Sequence, residues 1–383
     1  MRNYLDYYKK FNIIPVVNTG DLDEKTLFQQ RFNFYFKIGI TPIEFKNKSV
    51  LELCAGTGYN AYYLLKHCKI KDITLVDNNP KSLQFLRKNL SKFENKKIIN
   101  KDINFFSSKK KFDYVIIENA LQGLNNPEKI LRKMIKFTKS GGCLVLTLAN
   151  LEGLLSDKLR YLYSILLVNQ KNILDDDLKL KFLTNLFQKH LRYLSPNTRK
   201  ADKWVVDNIL HTSWITKKKY FDLLDVKKIL KKKNYIKSTS PAFSKDFIWY
   251  KNMTLNNYNN NIISNYLKER VNFIDFETQF SINTENRKFI YQLYNLIKKL
   301  NLKTSKIGFN KKLKNGQIDE IYNIISKISK ILNFLKNKNK ITLALNEFLK
   351  IILSYKKKKL NTKTKYFHKL WSIGTNSINL YKI

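Results

Sequence analysis

Two hydrophobic periods alternate along the chain, and the change from one to the other divides it. Between residues 46 and 150, short apolar runs take turns with segments whose apolar positions recur every three or four residues. The runs predict strands at 49–54, 73–77, 97–100, 113–118 and 143–149, and the periodic segments predict helices near 59–67, 80–91 and 127–138. Pro80 and Pro127 fall at first-turn positions, behind the capping residues Asn79 and Asn126. Gly141-Gly142 turns the chain into the fifth strand. Strands and helices in alternation with short connections imply an α/β domain around a parallel sheet. Ahead of it, Phe28, Phe32, Tyr35 and Phe36 mark one aromatic helix face, ended by Gly39 and Pro42. Residues 1–45 therefore read as a helical cap, either a packing helix or a cover that brings Gln30 and Arg31 to a ligand.

After residue 150 the strand period lapses. Leu154, Leu155, Leu159, Tyr161, Leu162 and Ile165 predict one helix and 178–194 another, so 151–200 reads as a helical insertion. The sheet pattern returns over 201–253, with a helix at 222–233 and strand candidates at 235–239 and 247–253. From 254 onward the period is helical. Ile321, Ile325, Ile328, Leu332 and Leu335 form one stripe, and Ile341, Leu345, Phe348, Ile352 and Tyr355 a second. The short link 336–340 predicts that these two helices pack antiparallel. The expected domains are thus 1–45, 46–253 with the insertion at 151–200, and a mainly helical 254–383.

One stretch organises the α/β region: Val50-Leu51-Glu52-Leu53-Cys54-Ala55-Gly56-Thr57-Gly58-Tyr59-Asn60. It reads as a buried strand, a turn of small residues, then a helix. Glycine supplies the positive φ of a tight turn, and the helix start points free N–H groups at whatever occupies it. An adenosine-containing cofactor suits such a turn, and an ordinary strand-to-helix loop is the plain alternative. Asp77-Asn78 ends the second strand, where a carboxylate can accept ribose hydroxyls at the switch point of the sheet. Asp102 and Ile103 follow the third strand, placed for an adenine amino group and ring, and Glu118-Asn119 leaves the fourth, facing the reacting end. Further on, 202–214 gathers Trp204, Asp207, His211 and Trp214. The tryptophans could stack on an acceptor, and His211 or Asp207 could take its proton. A hydrogen-bonded histidine beside core tryptophans is the structural alternative. His67, His190 and His368 lack such company and read as structural.

Composition narrows the partners. The formal net charge of +42 invites nucleic acid. Only nine of the 72 cations are arginine, the side chain suited to bidentate phosphate and base contacts, and residues 254–383 carry +18 of the total, so the charge is diffuse. Nucleic acid is therefore the second choice of partner. Cys54, Cys68 and Cys143 show neither metal-ligand nor disulfide spacing and read as free thiols in a reducing, cytoplasmic setting, with no metal expected. No apolar run has the length of a membrane span, although lysine-mediated contact with a membrane surface stays open.

Taken together, these motifs resemble the class I methyltransferases that use S-adenosyl-L-methionine. The family's acidic-x-Gly-x-Gly-x-Gly motif stands here as Glu52-Leu53-Cys54-Ala55-Gly56-Thr57-Gly58, with Cys54, a small residue, replacing the first glycine. Asp77, the pair Asp102-Ile103, the run Phe112-Asp113-Tyr114-Val115 and Lys139-Ser140-Gly141-Gly142 match in order, firmly over 46–150 and loosely over 201–253. The resemblance implies a Rossmann-like, mostly parallel seven-stranded sheet with helices on both faces. It also places Glu52 and the glycines at the methionine part, Asp77 at the ribose, and Asp102 and Ile103 at the adenine. A nicotinamide-binding dehydrogenase is the rival, since Gly56 to Ala61 also fits G-x-G-x-x-A, but Glu52 suits a dinucleotide strand poorly. The exit Glu118-Asn119-Ala120-Leu121 lacks the Pro-Pro-aromatic signature of amide or base-nitrogen methylation. Together with a weaker likeness of the ending 371–381 to methyltransferases of bacterial surface-polysaccharide clusters, this points to a small-molecule or glycan acceptor. An RNA methyltransferase or a non-catalytic nucleotide-binding protein is the alternative. Oligomeric state is not legible.

Overall fold

The apolar runs of the first half become neighbouring strands of one sheet. The computed structural model describes residues 24–194, 200–230, 234–244, 249–309, 311, 313–359 and 364–383. They fall into two units, one holding 24–149, Phe221–Leu267 and Thr375–Ile383, the other Asn150–Tyr220 and Lys268–Gly374.

The first unit opens on helix α1 (Glu24–Lys37), followed by β1 (Ser49–Leu53), α2 (Tyr59–His67), β2 (Asp72–Asp77), α3 (Pro80–Asn89), β3 (Lys96–Asn100), β4 (Phe112–Ile117), α4 (Pro127–Phe137) and β5 (Thr138–Ala149). These elements form for the reasons the sequence offers. Asn79 accepts the Lys81 and Ser82 amides and Asn126 accepts the Lys129 amide, each just before its proline. β1 is buried along its whole length, as a central parallel strand must be. With β6 (Asn234–Ser240) and β7 (Thr375–Lys382), the seven strands lie in the order β3-β2-β1-β4-β5-β7-β6. β1 to β5 pair in parallel, and only β7 runs against its neighbours.

The seventh strand is where the structure departs from the sequence-based expectation. β7 is Thr375–Lys382, inside the region read as helical, and it is inserted between β5 and β6 (Asn234–Ser240). The proposed strand 247–253 is a single 3-10 turn over Tyr250–Asn252, its start at 245–248 lying outside the described residues. The Lys231–Lys233 end of the expected helix 222–233 also lies outside them, and the observed helix α7 is Leu223–Ile229. Of the expected cap 1–45, residues 1–23 are likewise outside the description.

The helical unit is larger than the expected insertion. The chain leaves the sheet after Ala149, runs through α5 (Leu155–Gln170) and α6 (Asp176–Arg192), and rejoins the sheet unit at Phe221 rather than near 201. There it makes α7, β6 and α8 (Leu255–Glu269). It then leaves again for α9 (Arg287–Thr304), α10 (Asn315–Leu335) and α11 (Lys340–Lys356). The two predicted stripes face a common core: Ile321, Ile325, Ile328 and Leu332 of α10 are buried with Ile341, Leu345, Phe348 and Ile352 of α11. The Ser329 hydroxyl donates to Asn346 Oδ1 across the pair at 2.9 Å. Gly153 permits a contact no side chain would, because a Cβ there would lie 1.9 Å from the Ile373 carbonyl oxygen.

Candidate active site

The site is built at the carboxyl ends of β1, β2 and β4, where ligands bind in open α/β sheets. After Leu53 the backbone enters a turn with three left-handed residues, Cys54 (φ 57°), Gly56 (φ 57°) and Gly58 (φ 82°). Gly58 is needed for packing as well, since a Cβ would meet Leu86 Cδ1 of α3 at 2.4 Å. A Cβ on Gly56 would meet nothing within 4 Å, so the backbone there borders open space in which a ligand can approach it.

Asp77 ties this turn to the end of β2. Its Oδ2 accepts the Gly56 amide and its Oδ1 the Asn79 amide, both at 2.8 Å. Burial raises the Asp77 carboxyl above its ordinary value, and these amides oppose that shift. Asn78 turns its amide toward Asp102, donating to Oδ2 at 3.4 Å, while Asp102 Oδ1 accepts the backbone and side-chain N–H groups of Asn104. Ile103, beside it, is buried.

Glu52 is the electrostatic centre. Its carboxyl is buried with the Asn60 side chain beside it, and Oε2 completes no hydrogen bond among the described residues. Burial first, and then the Glu118 carboxylate, push it up to about 8. Glu118 leaves β4 beside Asn119, a left-handed residue (φ 53°), and is gripped in bidentate fashion by Arg31 of α1, with contacts of 2.5 and 3.0 Å. Tyr35, one turn on, donates to Asn60 Oδ1 at 2.7 Å and so fixes α1 to α2. Of the aromatic face of α1, Tyr35 is buried, Phe28 and Phe32 pack half-buried against the core and Phe36 is exposed, while Arg31 joins the site.

Four carboxyl groups, Glu52, Asp77, Asp102 and Glu118, thus line these strand ends with one guanidinium. That donor set fits S-adenosyl-L-methionine: the carboxylates can receive an ammonium, ribose hydroxyls and an exocyclic amine, and they surround a cationic sulfonium favourably.

The remaining candidates lie in the helical unit. Trp204 is buried, edge-on to Phe187 and Trp371 with centroids at 5.4 and 5.6 Å. Trp214 is half-buried and edge-on to Tyr220. Asp207 sits in a π-helical turn over Val206–Leu210, a local geometry frequent at functional positions. His211 is buried, its Nε2 2.8 Å from Ser213 Oγ, and burial followed by the Lys217 ammonium depresses it to about 4. The structure groups these four with one another and with the helical core. It groups Glu52, Cys54, Ala55, Gly56, Thr57, Gly58, Asp77, Asn78, Asp102, Ile103, Glu118 and Asn119 in the sheet unit.

One contributor escaped the sequence. Lys133 of α4 reaches the carbonyls of Ile103, Asn104 and Phe106 at 3.4, 2.5 and 3.2 Å and clamps the turn that carries Asp102. As one lysine among many, it carries no local signal. Among the described residues no group of His, Cys, Asp and Glu could hold a metal, and the three cysteines are free.

Comparison with known proteins agrees with this geometry. A family model described as a methyltransferase domain matches residues 44–176. A curated relative, the rRNA adenine N-6-methyltransferase of Limosilactobacillus reuteri, is 29% identical over 89 residues, which cover 23% of this chain and 35% of that protein. The chain thus spans about a third of its curated relative. Among solved structures, coclaurine N-methyltransferase aligns at 16% identity over 38% of this chain and 43% of its own, with a TM-score of 0.29. The N-methyltransferase NodS from Bradyrhizobium japonicum aligns at 19% over 38% and 74%, with a TM-score of 0.31. Residues 44–176 thus match a methyltransferase domain, and β1 to β5 of that stretch lie in the β3-β2-β1-β4-β5-β7-β6 sheet.

Proposed function

We propose that the chain transfers a methyl group from S-adenosyl-L-methionine to a small-molecule or glycan-type acceptor, in the cytoplasm. The carrying observation is the buried Glu52 carboxyl, whose Oε2 makes no hydrogen bond among the described residues, at the end of β1 that leads into the open backbone at Gly56. A buried acceptor without a partner costs stability unless a donor reaches it, and the cofactor's ammonium is such a donor. When bound, the cofactor supplies an electrophilic methyl on sulfur. Asp77 and Asp102 hold the nucleoside end, and Arg31 keeps Glu118 in place at the mouth of β4. On the acceptor side, Trp204 and Trp214 are assigned to walls and Asp207 and His211 to proton removal. A histidine depressed to about 4 is neutral at pH 7 but a weak base, so proximity carries more of the rate than proton transfer does.

The rRNA methyltransferase relative and the +42 charge support RNA as the second acceptor class. The β4 exit Glu118-Asn119-Ala120-Leu121 weighs against it. Calorimetry tests the reading: the demethylated cofactor should bind with micromolar affinity and NAD should not. Binding of NAD alone would refute it.

A further inference from the structure

Four large apolar side chains stand exposed within seven residues: Trp249 (58%), Tyr250 (71%), Met253 (40%) and Leu255 (40%). Scattered exposed apolar residues are ordinary, whereas a contiguous cluster marks a contact surface. These four share one short segment. The Asn252 amide donates to Trp249 O and the Met253 amide to Tyr250 O, closing a turn that leads directly into Leu255 at the start of α8.

Along the turn and the helix that follows, the charge has one sign as far as Lys268. The Lys251 ammonium lies 4.7 Å from the centre of the Trp249 ring. From Trp249 to Lys268 the chain contains no Asp or Glu. Helix α8 is pinned along edge strand β6, where Asn259 Oδ1 accepts the Ile236 amide at 3.0 Å and the Tyr258 hydroxyl donates to Lys237 O at 3.2 Å. Lys227 of α7 hydrogen-bonds Asn260 on the same helix, which brings a second ammonium to this edge.

We propose that this turn, with Lys227 and Lys251, binds the surface of an anionic lipid bilayer. Trp249 and Tyr250 sit at headgroup depth, Met253 and Leu255 enter the acyl boundary, and the lysines face lipid phosphates. The occupant follows from charge and side-chain chemistry. A chain of net charge +42 is drawn to an anionic leaflet. Single-stranded RNA would need open, parallel ring faces. Here Lys251 covers one face of Trp249, Tyr250 stands edge-on to it with planes at 79°, and the other two side chains have no ring. Among the described residues no helix is long and apolar enough to cross a membrane, so the attachment is peripheral.

Sedimentation of the full chain with vesicles provides the test. Protein should pellet with phosphatidylcholine vesicles in which about one lipid in three is phosphatidylserine, and not with phosphatidylcholine alone. The double variant Trp249→Ala/Tyr250→Ala should lower that partition by about tenfold with an unchanged thermal midpoint, because both side chains are exposed. Equal partition of variant and parent would overturn the proposal and assign binding to diffuse lysine charge. Absence of pelleting would also overturn it. Loss of single-stranded RNA binding in the variant, with vesicle partition intact, would give the turn to nucleic acid.

Discussion

The Asp77 carboxylate occupies both oxygens with backbone amides, from Gly56 and from Asn79, so it shapes the turn after β1 in addition to the ribose contact proposed for it. Removing the side chain would therefore mix two effects. Asp77→Asn separates them, since the amide oxygen can keep one of the two N–H groups at unchanged volume. It should weaken binding of the demethylated cofactor by about tenfold or more, on the scale of a hydrogen bond to a charged group. Calorimetry would show this, and unchanged affinity would mean that Asp77 does not hold the ribose. Cys54 illustrates a second residue-scale demand. The sequence suggests that any small residue suffices where the family places glycine. The backbone there is left-handed (φ 57°), a region that costs a non-glycine residue about 1–2 kcal/mol. What the position requires is a dihedral angle, and residue size conveys that only indirectly.

Helix α4 acts on the site without touching it. Its apolar face, with Ile130, Leu131 and Met134, is buried in the sheet unit, and Lys133 projects to three carbonyls of the turn after β3. Lys133→Met keeps the aliphatic stem and removes the clamp. Backbone amides at 104–106 should then exchange faster in the cofactor-free protein, and affinity for the demethylated cofactor should fall by about tenfold. Unchanged exchange would show that the Asp102 contacts hold the turn alone. Elements of this kind were legible from period and caps: β1 to β4 and α2 to α4 lie within two residues of their predicted spans and the α10–α11 pair breaks at the predicted link, whereas β5 begins at Thr138, five residues early, and takes Gly141-Gly142 into the strand. The cofactor turn was legible because few residue types tolerate its dihedrals. The Arg31–Glu118 pair and the Lys133 clamp were not, because each joins residues distant in sequence through side chains common on any surface.

At the scale of the whole chain, buried histidines tie stability to acidity. Burial, aided by the Lys217 and Arg160 cations, depresses His211 to about 4 and His190 well below its ordinary 6.5. The unfolded chain takes up these protons near pH 6.5 and the folded chain only at lower pH, so the stability these two residues contribute falls on acidification from about 6.5 toward 4. His211 alone accounts for up to about 3 kcal/mol of that loss. Glu52, raised to about 8, contributes with the opposite sign over the same window, so the readout is a difference: between pH 6.5 and 4 the urea midpoint of His211→Gln should fall less, or rise more, than that of the parent, and parallel profiles would show that His211 protonates without cost. The least legible element of the fold is β7. Its period is masked because Asn376 and Asn379 occupy buried positions where an apolar residue is expected, and its partners β5 and β6 precede it by long stretches of chain. That order has a consequence during synthesis. Residues emerge from the ribosome in sequence, at roughly 5–20 per second. For the time needed to make the helices between β6 and β7, the apolar edge of β5 is finished yet unpaired, and β6 has no neighbour in the sheet. A nascent chain in that state presents an open strand edge, the hazard that chaperones shield, and the sheet closes only when Thr375–Lys382 clears the exit tunnel.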